Sequence, residues 1–153
     1  MGAFVAETGN DMRGRILVIN AHARRTVPRK TVEKLVRKIA QAERVGVREL
    51  SIVFVDDRKI RNLNKTYLAH NGVTDVISFP LQEGSDLEGE VYVNLDQAAR
   101  QAREYGVGAR EEIHRLVTHG ILHLIGYDDR TKKQQHTIHS REDIYLKWIN
   151  RSS

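Results

Sequence analysis

The stretch THGILHLIGYDD, Thr118–Asp129, decides how the chain is read. Two histidines stand four apart in an apolar setting, a glycine interrupts the pattern, and two aspartates follow. Carried back to Arg110, the helical period puts Ile113, Leu116, Val117, Gly120, Ile121 and Leu124 on one stripe. Glu111 and Glu112 fall in the first turn, where the helix dipole favours negative charge. Gly126 stands where a C-cap glycine ends a helix. Leu122 lies opposite the stripe, so the last turns are apolar almost all round. The pattern predicts a buried central helix with His119 and His123 sharing a face at the margin of the core. Two imidazoles so spaced can reach one ion at about 2.0–2.1 Å. Gly126 turns the chain back, so a carboxylate from the Asp128-Asp129 pair could add a third ligand and leave a fourth position for water. The spacing alone is a weak signal, because many such pairs are surface or satisfied core histidines. It is not the H-E-x-x-H of metallopeptidases: Gly120 stands where their general-base glutamate would be.

Working outward, RILVINAH (Arg15–His22) and ELSIVFVD (Glu49–Asp56) read as strands, the second apolar enough to be central. Between them Pro28 opens a helix with Val32, Leu35, Val36, Ile39 and Ala40 inward, and Gly46 is its expected cap. Asp56 or Asp57 caps a helix bearing Ile60, Leu63, Asn64 and Tyr67. TDVISFP (Thr74–Pro80) and EVYVNL (Glu90–Leu95) are close enough to form a hairpin. Asp96 is expected to start a short helix closed by Gly106 and Gly108, and a last helix spans about Lys132–Asn150. These elements predict an α+β fold: one domain over 15–151, with a mixed four-stranded sheet and about five helices mostly on one side. Residues 1–14 show no period and read as a flexible leader, within which Met12 could be the start.

The chain has 153 residues and no cysteine, which excludes disulfides and thiolate metal sites. Any metal must use His and carboxylate ligands. No apolar run is long enough to span a bilayer, and the start lacks a secretory pattern, so the default location is the cytoplasm. A net charge of +5 favours an anionic partner such as nucleic acid. His22, Arg24, Arg25, Arg29, Lys30, Lys34, Arg37 and Lys38 would, if exposed, make a positive surface.

HGILHLIGYDD resembles H-G-x-L-H-L-x-G-Y-D-H, the signature of the YbeY family of ribosomal-RNA maturation endoribonucleases. LNKTYLAHNGVTDVISFP is similar to the family's N-x-x-Y-R…T-D-V-L-S-F-P block. The likeness runs from about Arg15 over most of the chain. It implies a single α+β domain, one zinc ion per chain, cleavage of single-stranded ribosomal RNA, and work with the small ribosomal subunit and its assembly factors. His119 and His123 match the first two zinc ligands. The third, a histidine in the family, falls on Asp129, a departure that carboxylate chemistry permits. Asp128 is the fallback, and His136 and His139 are expected to face solvent. The family's arginine falls on Leu68, so a phosphate-contacting charge is missing there, and His70 could replace it in part. Thr74, Asp75 and Ser78 lie on the matched strand. Asp75 could orient a histidine ring, and Ser78 could floor the cleft. Arg29, Lys30, Arg37 and Lys38 are the candidates to track an RNA backbone. Two other readings stay open. One is a ribosome-assembly factor in which the metal only braces the helix end. The other is a metal-dependent peptidase or hydrolase of another substrate.

Overall fold

The computed structural model describes residues 14–69, 71–81 and 85–152. Residues 1–13 of the proposed leader and His70 lie outside the described residues. The order is β1 (Arg15–Asn20), α1 (Arg29–Ala42), β2 (Val47–Val55), α2 (Asp57–Tyr67), β3 (Val76–Pro80), β4 (Leu87–Asn94), α3 (Leu95–Tyr105), α4 (Ala109–Ile125) and α5 (Lys132–Ser152). The expected mixed sheet has the order β1-β2-β4-β3. β2 lies parallel to both β1 and β4, and β3 closes an antiparallel hairpin with β4. The strand read as central is therefore internal, and β3 is an edge.

Alternation along the strands splits the apolar residues between two faces. One face carries Leu50, Ile52, Phe54, Val91 and Val93 and packs with Leu35, Val36 and Ile39 of α1, Val117 and Ile121 of α4, and Ile138, Tyr145 and Ile149 of α5. The other is partly covered by α2, whose Ile60 and Leu63 cluster with Val55 and Ile77.

Three caps differ from expectation. α1 ends before Gly46: Glu43 is its cap, and Arg44 takes the left-handed turn at φ 60°. Gly46 instead leads into β2, where its carbonyl accepts from the Leu87 N–H at 2.7 Å. α3 is capped by Asn94, whose amide oxygen accepts from the N–H groups of Asp96 and Gln97. The Asp96 carboxylate is engaged elsewhere, 2.8 Å from His22 Nε2 and 3.0 Å from Arg25 Nε. Gly106 closes α3 at φ 68°, whereas Gly108 begins α4.

Gly120 sets how closely α4 approaches the sheet. A Cβ built there would lie 2.5 Å from Val91 Cγ1 and 3.1 Å from Val76 Cγ2. Val91 is fully buried, so it has little room to retreat. Gly120→Ala is expected to push α4 outward and cost about 1–3 kcal/mol, read as a lower denaturant midpoint. An unchanged midpoint would show that the contact is soft.

His114, nearly two turns earlier, is buried and faces Thr31 Oγ1 at 2.9 Å through Nε2, while Nδ1 has no partner. Burial, with Arg110 nearby, pushes its pKa down to about 4. The unfolded chain binds this proton more readily, so His114 withdraws stability as pH falls from its ordinary value of about 6.5 towards about 4. Over that window His114→Gln is expected to lose less stability than the parent protein. Equal losses would contradict it.

Candidate metal centre

The cavity that matters opens beside β3, between α4 and the end of α2. It measures about 640 Å³ and is lined by Thr74, Asp75, Ser78, His119, His123 and Asp129 among others. α4 ends as its sequence implies. Gly126 adopts φ 125°, and its N–H and that of Tyr127 both reach the Leu122 carbonyl, at 3.1 and 3.0 Å. This reversal carries Asp129 back over the last turn. His119 Nε2 and His123 Nε2 are 3.0 Å apart, and Asp129 Oδ2 is 3.4 Å from each. Among the described residues these three form the group that could hold a metal ion. Ligand atoms bonded tetrahedrally at about 2.0–2.1 Å lie about 3.3–3.4 Å from one another. The donor set and its spacing therefore fit one ion with three protein ligands.

Asp128 is drawn away: its Oδ2 sits 2.8 Å from Arg130 Nε, and its Oδ1 accepts the Asp129 N–H at 2.9 Å. The turn is tied from outside as well. Tyr127 Oη donates to Glu43 Oε1 at 2.7 Å, and Tyr145 Oη donates to the other oxygen of the same carboxylate. Glu43, just past the end of α1, thus fixes the loop that delivers Asp129.

The residue that orients a histidine is Glu142 of α5. His119 Nδ1 lies 2.6 Å from Glu142 Oε2. With the proton on Nδ1, the Nε2 lone pair is left free for an ion placed between it, His123 and Asp129. Burial raises the Glu142 pKa, but hydrogen bonds from His119 and His139 outweigh it and hold the carboxyl below its ordinary value. Arg115 Nη1, 3.3 Å from Oε1, adds a further partner. Asp75 lines the cavity, but among the described residues it makes no bond to either ring. Ser78 Oγ donates to the Gly120 carbonyl at 2.9 Å, so it floors the cleft and ties β3 to the turn between the histidines. Of Thr74, the carbonyl is engaged, accepting from Asn94 Nδ2 at 3.1 Å. His136 is exposed, and His139 turns to Glu142 Oε1 at 3.2 Å. Leu68 lines the cleft where the resemblance places an arginine.

The four α1 cations expected to track RNA, Arg29, Lys30, Arg37 and Lys38, do not line this cavity. Arg29 Nη1 donates to the Val18 carbonyl, Arg37 lies 3.5 Å from Glu33, and Lys38 sits with Lys34 over the Trp148 ring. Lys30 is exposed.

The family model described as Endoribonuclease YbeY matches residues 18–150. The chain belongs to the YbeY family. A relative named Endoribonuclease YbeY from Chloroherpeton thalassium is 35% identical over 85% of this chain and 92% of its own. One of the same name from Aquifex aeolicus is 44% identical over 69% and 72%. The solution structure of TM1509 from Thermotoga maritima shares the fold at a TM-score of 0.62, with 28% identity and 88% of each chain covered. YbeY membership accounts for both sequence blocks, which the fold brings to opposite walls of one cleft.

Sequence reading missed Glu142 and Glu43. Neither belongs to a spaced motif, and each acts on a residue far along the chain.

Proposed function

We propose that this protein is a zinc-dependent endoribonuclease that hydrolyses phosphodiester bonds of single-stranded ribosomal RNA during its maturation and in ribosome quality control. The observation that carries the metal part is the His119–His123–Asp129 triangle, spaced for one ion beside an open cleft. The family name supports the endonuclease activity. A divalent ion held there supplies Lewis-acid activation of water and of a phosphodiester. The chain's own residues do the rest. Glu142 holds the His119 proton on Nδ1, and Glu43 and Tyr127 hold the turn. Asp75 and Thr74, which line the same cleft, would position the scissile segment. The α1 cations would act on RNA at longer range, by charge rather than by lining the cleft. Work with the small subunit in the cytoplasm follows from the family resemblance. No helix of the described residues is long and apolar enough to cross a membrane.

The test is cleavage of single-stranded RNA, duplex RNA and casein by metal-loaded protein, each repeated after chelation. Cleavage confined to single-stranded RNA and lost on chelation is expected. Casein cleavage, or RNA cleavage that survives full chelation, would refute the reading.

A further inference from the structure

On the opposite face of β3 lies a second groove, of about 520 Å³, lined by Lys59, Tyr67, Phe79, Pro80, Leu81 and Tyr92 among others. Its aromatic rings form a chain. Tyr67 meets Phe79 edge-on with centroids 5.7 Å apart, and Phe79 meets Tyr92 likewise at 5.8 Å. Phe79 and Tyr92 are braced by the sheet, but Tyr67, the last residue of α2, is 67% exposed and Leu81 is 61% exposed. An apolar surface left in water beside a cleft marks a place where something docks.

Charge on α2 indicates what docks. Arg58, Lys59, Arg61 and Lys65 are all exposed, and none forms an ion pair with another described residue. The helix has one acidic residue, Asp57, and that is 2.7 Å from Arg100 Nη2. The groove adjoins the metal cleft: Pro80 lines both, and Leu68 in the cleft follows Tyr67 in the groove. Lys59 and Glu90 both line the groove, while Arg58, Arg61 and Lys65 lie elsewhere on α2. A net-cationic helix bordering an exposed aromatic platform suits an unpaired polynucleotide, whose bases stack while its phosphates follow the helix charges.

We propose that this groove is a base-stacking subsite for single-stranded RNA, with Tyr67 as the platform for a nucleobase flanking the bond in the metal cleft. The proposal rests on the RNA-cleaving reading above. Tyr67 is a binding residue here, since it touches the substrate's base and not the reacting phosphate.

The experiment measures binding of a short fluorescein-labelled single-stranded RNA, its integrity checked by gel after each measurement, to wild type, Tyr67→Phe and Tyr67→Ala. Cleavage of the same RNA is followed in parallel. Tyr67→Ala is expected to weaken binding about tenfold and raise KM with kcat little changed, while Tyr67→Phe stays near wild type. Replacing one flanking nucleotide by an abasic one should erase the difference between wild type and Tyr67→Ala. Because Tyr67 is largely exposed, the thermal midpoint should barely move. If the wild type cleaves RNA and Tyr67→Ala binds and cleaves as well as it does, the subsite is refuted and the function stands. If the wild type neither binds nor cleaves RNA, both fall. Loss of binding that no abasic position can mimic would also overturn the stacking role.

Discussion

Replacing His123 by alanine is expected to remove the bound ion and lower single-turnover RNA cleavage at least about a thousandfold, with the fold kept. The size follows from the several kcal/mol that a divalent ion contributes to phosphoryl transfer, each ~1.4 kcal/mol being a factor of ten. The fold should hold because His123 sits at the rim of the core, its side chain 28% exposed, and its ring bonds to His119 and Asp129 rather than packing in the apolar interior. A thermal midpoint close to the wild type's, together with lost cleavage, is the expected combination. Cleavage near the wild-type rate in this variant would separate the chemistry from the histidine pair.

Glu142→Gln is expected to weaken metal affinity about 10–100-fold, although Glu142 touches no ion. Its carboxylate, 2.6 Å from His119 Nδ1, selects the tautomer that leaves Nε2 free to bind. The amide has nearly the same shape, but it can present its NH₂ to Nδ1 and so stabilise the wrong tautomer. Stability should fall by about 1–3 kcal/mol, because Arg115 and His139 lose a charged acceptor in a buried place. Arg115 keeps Asp143 at 3.5 Å, which limits that loss. Zinc titration and denaturant unfolding together distinguish the roles. A variant that is less stable yet binds metal like the wild type would make Glu142 a structural residue and not an orienting one.

The candidate metal centre was largely legible in the sequence because its determinants are local. Histidines four apart share a helix face whatever surrounds them, and Gly126 marks where the chain must turn. Asp129 could be preferred over Asp128 only through the family resemblance. The structure adds the physical reason: Arg130, two residues on, takes Asp128. Glu142 was not legible. It sits in the run Arg141-Glu142-Asp143, and which of those charges faces inward depends on how α5 lies on α4. Glu142 is 1% exposed, whereas the Asp143 side chain is 62% exposed. The partners of the cationic cluster near the start were not legible for a related reason. His22 and Arg25 meet Asp96, and Arg29 meets a strand carbonyl, partners that proximity in sequence does not reveal. The fold itself followed from apolar periodicity. Caps were misplaced where Asn94 and Glu43 outcompeted the aspartate and glycine that composition favours, and strand starts shifted: β2 begins at Val47, β3 at Val76 and β4 at Leu87.

Calorimetric titration of zinc into ion-free wild type and Asp129→Ala is the most direct measurement of the three-ligand centre. One ion per wild-type chain, bound at least about tenfold more weakly once the carboxylate is removed, is the result expected of a site that depends on all three ligands. Asp129→Ala protein that still took up one zinc per chain with wild-type affinity would contradict it.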